Sequence, residues 1–200
     1  MSYDASTPRP SPVDPSSPSD PARVLRGRSV VLRAATHDDV AALVAIRSRP
    51  EVTDRWGGAD DPAVAVAREL ADEGVVGSVI ELDGRVVGWI QWYEESDPDY
   101  RHAGFDLYVD PVTRGRGVGP DALRTLTRHL FDVHGHHRLV IDPALDNRAA
   151  IRAYEKVGFR PVGVMRAYER GADGTWHDCL LMDMLEGEVV DDPSPDDHAP

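Results

Sequence analysis

The chain has one cysteine, Cys179, in 200 residues. A single thiol excludes an internal disulfide framework and, with it, the small stapled folds that depend on one. No apolar run approaches the roughly 20 residues of a membrane-spanning helix. The first residues lack a basic stretch followed by an apolar one, so a cytoplasmic protein is expected. Positive charge is in short supply: 22 Lys and Arg face 35 Asp and Glu, a net charge of -13. That balance argues against nucleic acid and anionic membranes as partners and favours a small cationic one. Beyond Leu185 there is no Lys or Arg, while Glu186, Glu188, Asp191, Asp192, Asp196 and Asp197 are all acidic. Aliphatic residues are almost missing from residues 1–22, which are rich in Pro, Ser and Asp. Such a segment buries too little apolar area to offset its chain entropy. The expected organisation is a disordered tail over 1–22, one domain over 23–186 and a disordered acidic tail over 187–200.

Between the tails, strand and helix patterns are mixed. Ser29-Val30-Val31-Leu32 reads as a strand. Thr36 reads as an N-cap, with Asp38 and Asp39 in the first turn of a helix that stops before Pro50. After a break at Trp56-Gly57-Gly58, Asp61-Pro62 opens another helix, which Gly74 ends. Residues 75–81 and 85–93 form a predicted hairpin around Leu82-Asp83-Gly84, and residues 94–103 a polar loop. A strand over 104–109 ends at Asp110-Pro111. A helix from Pro120 to about residue 133 carries Leu123, Leu126, Leu130 and Phe131 at helical spacing. A strand at Leu139-Val140-Ile141, a second helix after Asn147, and a closing hairpin over 160–168 and 175–185 complete the domain.

The stretch 104–159 carries the chemistry. Arg114-Gly115-Arg116-Gly117-Val118-Gly119 lies between a strand and a helix start. Free N–H groups and the helix dipole there make an anion site, and the glycines let phosphates approach the backbone. Pro120 removes one potential donor but is tolerated at a helix start. Asn147 and Tyr154 are seven residues apart and therefore share a helix face.

Arg114, Gly117 and Gly119, followed by Asn147 and by Ala150-Ile151-Arg152-Ala153-Tyr154-Glu155-Lys156-Val157-Gly158-Phe159, resemble the GNAT family of acetyl-CoA-dependent N-acetyltransferases. The likeness covers roughly residues 28–185. It implies an α/β fold: a mixed, mostly antiparallel sheet with a splayed parallel central strand pair and helices on both faces. It implies acetyl-CoA as co-substrate, with the pyrophosphate on Arg114, Gly115, Arg116, Gly117, Val118 and Gly119. Backbone groups of Leu107, Tyr108 and Val109 would hold the acetyl-pantetheine end, and Asn147 the pantetheine arm. Tyr154 would give a proton to the departing thiolate.

Acidic residues gather where an acceptor would sit. Asp106 interrupts an apolar strand, where a lone carboxylate is costly unless it has a role. The run Trp92-Tyr93-Glu94-Glu95-Ser96-Asp97-Pro98, with Asp106 and Asp142-Pro143, resembles the aminoglycoside 6'-N-acetyltransferase branch of the family. The acceptor residues this implies are Trp92, Glu94, Asp97, Asp106, Asp142 and Asp178, with Asp106 also the catalytic base. Acetylation of another amine (a polyamine, a siderophore precursor or a protein N-terminus) stays open, as do a non-catalytic coenzyme-binding module and either a monomer or a homodimer. No metal is expected: His134-Gly135-His136-His137 lacks carboxylate or thiol partners at ligand spacing. Cys179 reads as a buried strand residue.

Overall fold

The structure is a computed structural model and describes residues 24–56, 61–171 and 173–191. The tail expected over 1–22 and the glycines at 57 and 58 lie outside them. The elements follow in the order β1 (Leu25–Arg26), β2 (Val30–Arg33), α1 (Val40–Arg47), α2 (Pro50–Thr53), α3 (Pro62–Ala71), β3 (Val76–Leu82) and β4 (Arg85–Glu95). Then come β5 (His102–Val109), α4 (Val118–Asp132), β6 (Arg138–Ile141), α5 (Arg148–Glu155), β7 (Arg160–Arg170) and β8 (Trp176–Leu185). The strands form one sheet in the order β1-β2-β3-β4-β5-β6-β8-β7. Neighbours are antiparallel except β5 and β6, which run parallel. This is the mixed, mostly antiparallel sheet with one parallel pair that the family resemblance implied.

Local signals account for most boundaries. Thr36 donates its N–H and hydroxyl to Asp39 at 2.7 and 2.8 Å, closing the turn that leads into α1. Asp61 accepts the N–H of Ala63 and Pro62 occupies the first helical position of α3. Asp83 and Gly84, both at positive φ, make the tight turn between β3 and β4. Other boundaries move. Glu94 and Glu95 belong to β4, and His102 and Ala103 to β5, so the polar loop shrinks to 96–101. Helix α4 begins at Val118, before Pro120, because Gly117 at φ 75° turns the chain into it.

Each sheet face has its own core. On one, Leu123, Leu126 and Leu130 of α4 and Ile151 of α5 pack on Phe105, Leu139, Met182 and Met184. On the other, Leu43 and Ile46 of α1 and Val66 of α3 pack on Val79, Trp89 and Tyr108. Asp121 ties α4 to the sheet: its carboxylate accepts the N–H groups of Arg28, Ser29 and Val30 at 2.7–3.0 Å. Burial opposes its ionisation, but these donors hold its carboxyl below the usual carboxylate range.

The C-terminal boundary is corrected. Residues 187–191 are not a free tail. Val190 donates its N–H to Val157 O at 2.8 Å, and its own carbonyl accepts from buried Arg124 at 2.8 Å. Val189 packs on the core beside α4, and Arg128 pairs with Asp191. Two adjacent valines supply the apolar anchor that the acidic composition concealed. Among the described residues, no helix is long and apolar enough to cross a membrane.

Candidate active site

Among the described residues, β5 and β6 pair at two positions, Ala103 with Leu139 and Gly104 with Val140. Beyond them β5 stays with β4 while β6 stays with β8, so the strands part. The gap between them is the floor of a cleft of about 1200 Å³ that reaches both faces of the sheet.

One half of the cleft is built to receive an anion and an extended chain. It is lined by Arg114, Gly115, Gly117, Val118 and Gly119, by Leu107 and Val109 of β5, and by Asn147, Ala150, Ala153 and Tyr154. The N–H groups in the first turn of α4 have no acceptor within their own helix. Among the described residues, nothing lies within 4 Å of where a Cβ would stand on Gly115 or Gly117, so they leave the space above the loop open. That room, with the helix start beside it, fits a pyrophosphate. The Arg114 side chain is 69% exposed and 3.8 Å from Glu51, leaving it able to turn to a ligand. Asn147 caps α5, its Oδ1 accepting Ala150 N–H at 3.2 Å. The cap fixes the side chain so that its amide NH₂ remains as the donor for a ligand.

Tyr108 also lines the cleft, but its hydroxyl donates to Glu69 at 3.1 Å. Beyond Gly104, the edge of β5 that faces the gap is left unpaired by β6, so β5 can offer backbone groups there. Tyr154 is buried to 9% exposure and lines the same cleft. Burial first, and the charges of Asp106 and Asp142 second, push its phenol above the ordinary tyrosine value, so it keeps its proton at neutral pH.

The other half is acidic. Asp106, Asp142 and Glu169 all line it, with Gln91, Tyr93 and Tyr168 between them. Asp106 is pushed up to about 6 by burial, with further push from the Asp142 and Glu169 charges, against a hydrogen bond from Gln91 that lowers it. Burial first, and the neighbouring Asp142 second, raise the Tyr168 phenol. Burial and Asp142 likewise raise Glu169, against the S–H of Cys179 at 3.7 Å. Tyr93 reaches this half because Gly104 opposite it has no side chain: a Cβ there would stand 2.2 Å from the ring.

Five of the residues singled out from the sequence lie elsewhere. Trp92 is 2% exposed and packs edge-on against His134 on the α4 side of the sheet. Glu94, two residues on and so on the same face, is held by Arg101 at 2.6 Å. Asp97 closes a turn in the 96–101 loop by accepting Asp99 N–H. Asp178 accepts Ala167 N–H at 2.8 Å in the exposed β7–β8 hairpin. Arg116 turns outward to Asp83 at 2.9 Å. The residues missed are Gln91, Tyr93, Tyr168 and Glu169. Strand parity was the available signal: Gln91 pairs with Asp106 and Tyr93 with Gly104, so the odd positions of β4 share the face of Asp106 and the even ones do not. Cys179 is a buried strand residue as expected, its thiol pushed up to about 12 by burial and Glu169.

Comparison with known proteins places this arrangement. Residues 29–160 match the acetyltransferase (GNAT) domain family. Aminoglycoside N(6')-acetyltransferase type 1 of Klebsiella pneumoniae is 33% identical over 156 residues, 68% of this chain and 77% of that one. The N-alpha-acetyltransferase RimI of Mycobacterium tuberculosis is 37% identical over 78 residues, 38% of this chain and 47% of its own. Among solved structures, AAC(6')-Ib in complex with ribostamycin and coenzyme A superposes with a TM-score of 0.66 at 27% identity, covering 79% of this chain and 94% of that one.

Proposed function

The chain belongs to the GNAT acetyltransferases, with acetyl-CoA as its co-substrate, and from that premise we propose that it acetylates the 6'-amine of an aminoglycoside. The observation that carries this reading is the acidic half of the cleft, where Asp106, Asp142 and Glu169 converge beside Tyr154. A polycationic sugar offers several ammonium groups, and carboxylates distributed along a cleft meet them with charge and hydrogen bonds. The likeness to the aminoglycoside enzymes over 68% of the chain supports it independently.

The transfer is direct, in a ternary complex. Acetyl-CoA supplies an activated acetyl group. The loop from Arg114 to the first turn of α4 holds its pyrophosphate, and β5 and Asn147 hold its arm. The acceptor arrives as an ammonium ion, and Asp106 takes a proton from it, directly or through water. With its carboxyl raised to about 6, Asp106 is ionised at neutral pH yet a stronger base than an ordinary aspartate. The amine nitrogen then bonds to the acetyl carbon, the carbon–sulfur bond breaks, Tyr154 gives its phenolic proton to the leaving sulfur, and the second proton shed by the nitrogen as it becomes an amide returns through water to the tyrosinate.

Mass spectrometry of kanamycin incubated with the protein and acetyl-CoA tests the reading. Gain of one acetyl group on the 6'-amine is expected. Unmodified kanamycin alongside an acetylated peptide N-terminus or polyamine would overturn it. A second reading, acetylation of a protein N-terminus, is favoured by the RimI likeness over 78 residues.

A further inference from the structure

The segment 49–56 touches both banks of the cleft through ion pairs. On the bank formed by the β5–α4 loop, Arg49 lies 3.7 Å from Asp110 and Glu51 3.8 Å from Arg114. On the opposite bank, just before α5, Arg55 pairs with Asp146. Arg55, Asp146 and the neighbouring Trp56 all line the cleft. Trp56 is fixed: its indole N–H donates to Glu69 at 2.9 Å, and its ring stands edge-on to Tyr108 at 4.8 Å. Arg55 is therefore anchored at its base and carries its guanidinium across the mouth.

The Arg55 and Asp146 side chains are 44% and 76% exposed. A pair that exposed contributes little to stability, so holding the fold together does not account for it. Its position is more informative. A cation is set in the wall of the same cleft that Asp106, Asp142 and Glu169 line, where it opposes other cations drawn toward those carboxylates. An acceptor with a single ammonium has one productive place, beside Asp106, and gains nothing from Asp146. An acceptor with a second ammonium can take over Asp146 as Arg55 lets go.

We propose that Arg55 is a specificity gate: it neutralises Asp146 until an acceptor carrying more than one positive charge exchanges with it. The inference rests on the amine-acceptor reading above. It assigns Asp146 a partner in the complex and makes the number of charges, rather than shape alone, a criterion of entry.

Calorimetric titration with kanamycin in the absence of acetyl-CoA tests it in the wild type, Arg55→Ala, Asp146→Asn and the double variant. Arg55→Ala is expected to tighten kanamycin about two- to fivefold, the range set by a weak exposed pair, and Asp146→Asn to weaken it. In the Asp146→Asn background, Arg55→Ala should give no tightening. A weaker or unchanged affinity in Arg55→Ala would overturn the gate. So would equal tightening in both backgrounds, or failure of kanamycin to bind any of the four proteins. Turnover is read separately: kanamycin bound in this pattern but not acetylated supports the gate and removes the aminoglycoside reading.

Discussion

Gln91 aims its amide NH₂ at Asp106, Nε2 to Oδ2 3.4 Å, because its own carbonyl oxygen is held by the indole N–H of Trp89 at 2.9 Å. This donor lowers the Asp106 carboxyl, but burial and the Asp142 and Glu169 charges outweigh it and leave the group at about 6. Two consequences follow for pH. As a base, Asp106 must be ionised, so kcat/KM should fall as pH drops through about 6. For stability, a folded-state value above the ordinary 3.8 means that folding favours the protonated form. The destabilisation is absent below about pH 4, grows between 4 and 6, and is complete above. Asp106→Asn should therefore raise the stability at pH 7 by no more than about 3 kcal/mol, seen as a higher melting temperature, and leave it unchanged near pH 4. The same variant should lose most turnover at neutral pH and less at high pH, where more amine is already neutral. Melting curves and pH–rate profiles of both proteins check this.

Tyr154→Phe keeps the ring in its place between the cleft and Phe159, whose ring centroid is 6.4 Å away, and removes only the proton. Turnover should fall roughly 10²–10⁴-fold, the range for a general acid, with acetyl-CoA affinity nearly unchanged. A loss below about twofold in steady-state kinetics would leave Tyr154 as packing.

Gly119→Asp separates binding from folding. Among the described residues, a Cβ at Gly119 meets only Val109 Cγ2, at 3.9 Å, and the residue is not at positive φ, so the fold tolerates a side chain there. The added carboxylate would face the bound pyrophosphate. Calorimetry should show acetyl-CoA binding abolished while the melting temperature stays within a few degrees of wild type.

Truncation after Glu186 tests the corrected C-terminal boundary. It removes Val189 from the core and the carbonyl of Val190 from Arg124, which is 5% exposed. Leaving a buried charged donor short of a partner costs about 1–3 kcal/mol. At about 2–4 °C per kcal/mol for a domain of this size, the melting temperature should drop by several degrees. Removal of residues 1–22 should leave it unchanged, and differential scanning calorimetry of both truncations decides between the boundaries.

The fold was legible in the sequence because its signals are local. Thr36 and Asp39, Asp61 and Pro62, and Asp83 and Gly84 each declare an element boundary within four residues. The glycine-rich loop and the Asn147–Tyr154 spacing are equally local, and both lie on the cleft. The acceptor half is not local. Gln91, Tyr93 and Glu169 reach Asp106 from β4 and β7, and which of them do so depends on strand parity and on where β5 and β6 part. Counting acidic residues near the motif selected Glu94 and Asp97, whose charges serve Arg101 and a turn. Composition likewise hid the ordered residues 187–191, because two valines among acids carry little weight in an average.

The same sorting predicts how carboxylate variants divide. Asp142 and Glu169 line the acceptor half, so Asp142→Asn and Glu169→Gln should raise the KM for kanamycin. A lost charge-assisted hydrogen bond costs about 1.5–3 kcal/mol, so each KM should rise roughly 10- to 150-fold, with that for acetyl-CoA unchanged. The Asp97 carboxylate accepts the N–H of Asp99 in an exposed turn outside the cleft, so Asp97→Asn should leave both values at wild type. Added salt should weaken kanamycin in the wild type and less in the two cleft variants, because each has fewer charges to screen. A monoamine acceptor provides the internal control: it makes fewer charged contacts and should respond less to every substitution except Asp106→Asn. Steady-state kinetics of the three variants with both acceptors is the measurement. If Asp97→Asn proves as damaging as Asp142→Asn, the acidic loop enters the complex and the acceptor contacts more than the cleft. If Asp142→Asn and Glu169→Gln both match wild type on kanamycin, the aminoglycoside reading fails and a general amine acetyltransferase is the better account.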